Sequence, residues 1–216
     1  MALLVDNDVV DKLAELDLLQ EAGEILRSRF GSLVILDTLK YKLCPKKLSK
    51  RKKRNATVMS RIEMFIKEDI IEISPEVKAE FLLHAIESTG GLDVGEMQLL
   101  QVLLDKESDM LFTGDKRFLK ALVSVDSLNE HLEQVSERFI CFEQIICFLI
   151  MELGFEFIKD KFLQALDAGI QVDRALKICF EGQRNAVEER VTEALNSYIT
   201  SLRKESGQLL SADHVF

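Results

Sequence analysis

Asp6 closes the apolar run LLV, Asp115 closes MLFTG, and Glu96 stands in the first turn of a helix that begins GEMQLL. Carboxylates are the side chains that hold hard divalent cations, and such cations activate water and polarise phosphates. The two aspartates follow short strand-like runs, and Glu96 opens the helix leading into the second of them. In a β-α-β crossover the helix runs antiparallel to the strands, so its N-terminus lies at their carboxyl edge. All three acids are therefore predicted at one edge, where such sheets bind ligands. Like charges crowded there need a cation, and Asp6, Glu96 and Asp115 are expected to form a divalent metal site.

Each acid also has a plainer reading. Asp93 and Glu96 make D-x-x-E before an apolar run, the pattern of a capping box, with Asp93 as N-cap and Glu96 reaching back. Glu96 nevertheless shares a stripe with Leu99, Leu100, Leu103 and Leu104, so it points inward, where a carboxylate is costly unless something positive meets it. Asp93 reads as a cap. Asp115 follows Thr113-Gly114 and precedes Lys116-Arg117, which suits either a helix cap or a ligand with phosphate donors beside it. Asp8 and Asp11 read as first-turn acids favoured by the helix dipole. His84, His131 and His214 are isolated, which argues against zinc and against Ser-His or Cys-His chemistry. There is no GxGxxG or Walker pattern.

The elements that must position these residues follow from hydrophobic periodicity. Strands are predicted at 3–5, 33–36, 70–73, 110–113 and 139–142. Helices are predicted at 9–26, 56–66, 93–106, from Asp115 to about 123, and at 144–153. Another helix runs from Pro75, placed at its first turn, to about Thr89. Strands alternating with helices predict an α/β fold, a three-layer α/β/α arrangement around a parallel sheet, over residues 1–153. Residues 154–216 read as a helical extension of three segments without a strand.

Formal net charge is −9 over 216 residues. Residues 40–54 (KYKLCPKKLSKRKKR) hold no acid, and without them the chain is twice as acidic. The run directly follows the second predicted strand, tethered at the same edge as the acids. A cationic loop there suits a polyanion, so Lys46, Lys47, Lys50, Arg51, Lys52, Lys53 and Arg54 are candidate nucleic-acid contacts, with Lys116 and Arg117. Cys44, Cys141, Cys147 and Cys179 show no CxxC pairing and read as reduced core residues of an intracellular protein. Asp6 and Asp8 interrupt any signal-peptide core. The longest uncharged apolar run, 145–151, is far short of the ~20 residues of a membrane span. A cytoplasmic protein without membrane contact is expected.

Taken together, VDNDVVDKL, LDVGEMQLL and FTGDKRFL resemble the signature of PIN-domain nucleases, the group that includes the VapC-type toxin ribonucleases. The resemblance covers about residues 1–150. It implies an acidic cluster that binds Mg²⁺ or Mn²⁺ and hydrolyses RNA phosphodiesters, with Asp6, Glu96 and Asp115 in the ligand roles. It also implies a small antitoxin-like protein as regulator. The family usually carries a further Glu after the second strand, where TLKYKLC here has Lys40 and Lys42. Asp37 or Glu143 are the candidate substitutes, with Asp93 nearby.

Two other functions compete with this one. LLVDNDVV also fits the start of a haloacid-dehalogenase-type phosphatase, with Asp6 as nucleophile and Asp8 as acid/base, although Phe118 and Leu119 stand where a second acid is wanted. The lysines at 40 and 42 suit a non-catalytic PIN-like module that binds RNA or a protein. In the tail, Val187, Val191, Leu195 and Tyr198 keep a helical stripe, which is expected to be buried in a homodimer.

Overall fold

A computed structural model describes residues 1–45, 55–68, 70–88 and 92–212. Strands β1 (Ala2–Val5), β2 (Ser32–Leu36), β3 (Ile71–Ile73), β4 (Met110–Thr113) and β5 (Phe139–Cys141) form one sheet in the order β3-β2-β1-β4-β5. Every pairing is parallel. The chain leaves β1 towards β2 and later leaves β4 towards β5, so it winds away in opposite directions from the central pair. The crevice where such α/β sheets bind ligands therefore opens between the ends of β1 and β4.

Twelve α-helices pack around the sheet among the described residues. On the way to β3 come α1 (Asn7–Glu15), α2 (Leu19–Phe30), α3 (Leu39–Leu43) and α4 (Ala56–Phe65). Between β3 and β4 lie α5 (Glu80–Ser88) and α6 (Val94–Asp105), and before β5 lie α7 (Lys116–Val123) and α8 (Asn129–Leu132). The chain continues through α9 (Phe142–Leu153), α10 (Phe155–Asp167), α11 (Arg174–Cys179) and α12 (Glu188–Glu205).

Successive strand residues face opposite sides, and the buried side chains divide accordingly. Leu3, Val5, Leu33, Ile35 and Phe112 pack with α1, α2, α4 and α9, including Val10, Leu13, Ile62 and Ile145. Leu4, Val34, Leu36 and Leu111 pack with α5, α6 and α7, including Leu82, Leu100 and Leu119. Burial of β1, β2, β4 and β5 on both faces explains their apolar runs in place of alternation, while the edge strand β3 is largely exposed. The layering is compatible with a three-layer α/β/α sandwich.

Four features differ from the sequence expectation. The helix predicted over 9–26 is two helices, broken where Asp17 takes a left-handed conformation (φ 57°). Apolar periodicity runs through that break, so nothing in the pattern marks it; the corner is held instead by Asp17 receiving Arg61 at 2.6 Å and Lys161 at 2.9 Å. Pro75 does not start a helix: α5 begins at Glu80, and the Pro75 carbonyl accepts from Gln98 Nε2. Residues 126–135, for which no element is predicted from sequence, contain α8 flanked by two 3-10 turns.

The tail is the fourth. Gln208 and Leu209 carbonyls accept from the amides of Glu137 and Phe139, and Ser211 N donates to Phe139 O, so the tail runs parallel to β5 and covers that edge. Covering an edge strand removes a template for unwanted pairing. Phe162, Leu176, Val191 and Leu195 join the same core as Leu3 and Val5. The stripe expected in a homodimer is thus largely buried within its own chain, with Val187 left exposed. No described helix is long and apolar enough to cross a membrane. No disulfide links the four cysteines, and Cys141 and Cys179 are buried.

Candidate active site at the carboxyl edge of the sheet

Asp6 leaves β1 as the N-cap of α1, with Oδ1 accepting from the Asn7 amide at 2.6 Å. Its Oδ2 accepts from the Thr113 hydroxyl at 3.2 Å, and that same hydroxyl accepts from the Asp115 amide at 3.2 Å. Thr113 therefore ties the ends of β1 and β4 together at the crevice. Asp6 is only 8% exposed. Burial first, then the neighbouring Asp8, and more weakly Glu96, push its pKa well above the ordinary aspartate value, against the Asn7 amide.

Glu96 arrives from the other side by the capping box. Asp93 caps α6 by accepting from the Glu96 amide at 2.9 Å, and Glu96 Oε2 accepts from the Asp93 amide at 2.8 Å. The cap is thus the device that aims Glu96 at the crevice; structural and functional readings of D-x-x-E are compatible. Glu96 is buried, and its pKa is pushed up to about 7. Burial is the main cause; the Asp93 amide opposes it, and the charges of Asp93, Asp115 and Asp8 add to it.

Asp115 caps α7: Oδ1 accepts from the amides of Arg117 at 2.8 Å and Phe118 at 3.3 Å. Arg117 Nη2 lies 3.2 Å from Oδ2. Burial would raise the Asp115 pKa, but the Arg117 side chain and these amides outweigh it and hold the pKa below the ordinary value. Asp8, read from sequence as a first-turn acid, belongs to the site. Its Oδ1 accepts from the Gly114 amide at 3.2 Å, and its Oδ2 pairs with Lys12 at 3.1 Å.

Lys12 was not legible as a site residue, although its i, i+4 spacing from Asp8 was a signal. It donates to the Gly114 carbonyl at 3.0 Å and reaches Asp173, in the tail, at 3.4 Å. Burial disfavours its charge, yet Asp8 and Asp173 together raise its pKa. Gly114 makes room for this: a Cβ there would come within 2.6 Å of both Asp8 Oδ2 and Lys12 Nζ.

The remaining candidates fall around this centre. Glu143, 2% exposed, pairs with Lys116, whose Nζ also lies 4.7 Å from the Tyr198 ring centroid. Lys116 is thus paired with Glu143 while its side chain stays partly exposed. Lys42 stands 3.7 Å from Asp93 and Lys40 pairs with Glu72 at 2.8 Å, so of the two lysines Lys42 is the one at the acid edge. Asp37 follows β2 at the same edge, its amide donating to Ile73 O. Lys46, Lys47, Lys50, Arg51, Lys52, Lys53 and Arg54 lie outside the described residues.

Ion pairing divides the acids. Asp8, Asp93, Asp115 and Glu143 each have a Lys or Arg of the chain within reach. No described Lys, Arg or His makes an ion pair with Asp6 or Glu96. Both are buried, and Arg117 acts on Glu96 by its charge without an ion pair between them; carboxylate oxygens are the donors that hard divalent cations take. No group of three or more His, Cys, Asp or Glu side chains among the described residues is arranged to hold a metal ion. Of the three expected ligands, Asp6 and Glu96 are the carboxylates outside ion pairs with described cations, while Asp115 is turned to Arg117 and to its own helix. The chain matches no family model, no curated protein and no solved structure.

Proposed function

We propose that the chain is a metal-dependent endoribonuclease of PIN-like, three-layer architecture, acting at the crevice between β1 and β4. The observation that carries this reading is the pair Asp6 and Glu96, two buried carboxylates that make no ion pair with a described Lys, Arg or His, at the topological switch point of a parallel sheet. Neutral protonation is the alternative to cation binding: burial above all, with the neighbouring acids, raises both pKa values and so disfavours two uncompensated charges there.

Asp6 and Glu96 would hold Mg²⁺ or Mn²⁺, joined by Asp115 once Arg117 lets go of it, or by Asp8 once it leaves Lys12. When bound, the cation supplies Lewis-acid polarisation of the scissile phosphate and of the attacking water. The chain's own part is positional. Thr113 fixes the Asp6 carboxylate, the capping box fixes Glu96, and Lys12 anchors Asp8 against Gly114. Arg117, whose side chain is 89% exposed, is the cation able to move from Asp115 to a phosphate oxygen.

RNA is the proposed substrate, taken in part by the basic run 46–54. A protein regulator and a second copy of the chain are further proposed partners, and they would use surfaces other than the buried face of α12. The second reading, a binding module without turnover, is favoured by the pairing of Lys42 with Asp93 and of Arg117 with Asp115, since the chain's own cations then occupy part of the edge. Purified protein with mixed RNA in Mg²⁺ or Mn²⁺, against chelator, separates the two. Metal-dependent fragments support the nuclease; metal-independent binding without fragments supports the module.

Gly114→Ala gives a sharper test of the positional argument. The atoms that its Cβ would strike are the far ends of flexible side chains, so the fold is expected to survive with little change in melting temperature. Lys12 and Asp8 must move, and a displacement of this order is expected to lower cleavage roughly tenfold to a hundredfold. A wild-type rate with unchanged melting would remove Lys12 from the argument.

A further inference from the structure

A cleft of about 640 Å³ opens beside the acid edge, and its far wall comes from the tail. Asp8, Lys12, Gly114, Asp115 and Arg117 line one side; Arg174, Ile178 and Tyr198 line the other. Lys12 pins the two sides together through Asp8 and Asp173. Asp173 also caps α11, accepting from the amides of Ala175 at 2.8 Å and Leu176 at 3.2 Å. Arg174 and Ile178, one helical turn apart, are thereby presented to the cleft. Arg174 is exposed, and Ile178 is 49% exposed despite being apolar. Tyr198 is half-buried, with Lys116 Nζ over its ring.

This combination has a specific chemical meaning. A volume of this size is in the range of small-molecule sites. An exposed aliphatic side chain and a tyrosine offer an apolar face, and two arginines within the same cleft offer donors to phosphate. A base in a duplex has both faces stacked and its edge paired, so only an unpaired base can lie against such a wall. We propose that the cleft is a nucleotide subsite for single-stranded RNA, in which an unpaired base lies against Ile178 and Tyr198 and an adjacent phosphate meets Arg174 and Arg117. The inference rests on the reading of the acid edge as a phosphodiester site and assigns the tail wall of the cleft as the part that holds the nucleotide. It gives residues 154–216 a role in recognition as well as in packing.

The test is direct binding by the full chain, in chelator, of a fluorescently labelled single-stranded RNA octamer and of its blunt duplex. Cleavage of the same strand in Mg²⁺ is measured in parallel. The single strand is expected to bind more tightly than the duplex. Ile178→Asp and Arg174→Glu should each weaken it about tenfold or more, the scale of losing one base stack or one charged phosphate contact. Lys177→Glu carries the same charge change on the neighbouring exposed residue, which does not line the cleft, and should cost much less. All three positions are exposed or half-exposed, so unchanged thermal melting is the check on folding. Equal losses for Arg174→Glu and Lys177→Glu, no loss for Ile178→Asp, or equal binding of duplex and single strand would each overturn the subsite. RNA cleaved in Mg²⁺ with affinity unmoved by the cleft variants leaves the nuclease reading standing and the subsite refuted. Lost affinity in the variants of a protein that cuts nothing leaves the subsite standing and refutes the nuclease.

Discussion

Glu96→Gln is expected to make the metal-free protein more stable and to abolish RNA cleavage. The two effects have one cause. The folded carboxyl keeps its proton up to about pH 7, whereas the unfolded chain releases it near the ordinary value of 4.5. Between those values the folded state binds more protons, so stability falls as pH rises through the window. Above about pH 7 the slope vanishes, but the full cost of the buried charge stays, up to about 3 kcal/mol for a shift of this size. Glutamine keeps the acceptor that the Asp93 amide uses, so the capping box survives. The variant should therefore melt several degrees higher than wild type at pH 8, and only slightly differently at pH 4.

Asp6→Asn should shift stability in the same direction, because burial and Asp8 raise that pKa as well. In the presence of Mg²⁺ or Mn²⁺ wild type alone should recover most of that difference. Ligand binding adds about 2.7 kcal/mol at a hundred times the dissociation constant, and neither variant should gain it fully. Cleavage should drop by roughly 10³-fold or more, equivalent to about 4 kcal/mol of transition-state stabilisation. Melting curves at pH 4 and 8, with and without metal, read these signs independently of activity. Loss of stability in both variants at pH 8 would mean that the pair is held by hydrogen bonding rather than strained by charge.

The parts of the site that were legible in the sequence are local. An acid after an apolar run marks a strand end, so Asp6, Asp115 and the β4 segment 110–113 are found as predicted. D-x-x-E marks a helix start, so Glu96 and Asp93 are found as well. What escaped is set by residues far apart in sequence. Lys12 and Asp173 meet only because α11 folds over the cleft, and no local pattern links them. Asp8 looked like a helix-dipole acid because that role needs only its position in α1, whereas its bond to the Gly114 amide exists only once β1 and β4 are neighbours. The break at Asp17 escaped for the same reason: its stabilising partners, Arg61 and Lys161, come from α4 and α10.

Those long-range ties bear most strongly on residues 154–216, whose removal is expected to leave residues 1–153 unable to fold. Ile145, Ile146 and Leu149 of α9 are fully buried, partly by α12, and Phe162, Phe180, Val191 and Leu195 fill the same core. Exposing such surface forfeits about 25 cal/mol per Å² of apolar area, and several side chains of this size together exceed the 5–15 kcal/mol that holds a typical domain. The β5 edge, now bonded to residues 208–211, would be opened at the same time. Leu195→Ala, a single change at a fully buried position, should by itself cost about 2–5 kcal/mol. Urea unfolding of the full chain is then expected to show one transition, shifted by Leu195→Ala for tertiary and secondary structure alike. Two separated transitions, or a truncated chain with native circular dichroism and cooperative melting, would show that the tail is a separate unit after all. In that case the cleft between Arg117 and Arg174 would join two independently folding parts, and its width would depend on the ties of Lys12 to Asp173 and of Lys116 to Tyr198.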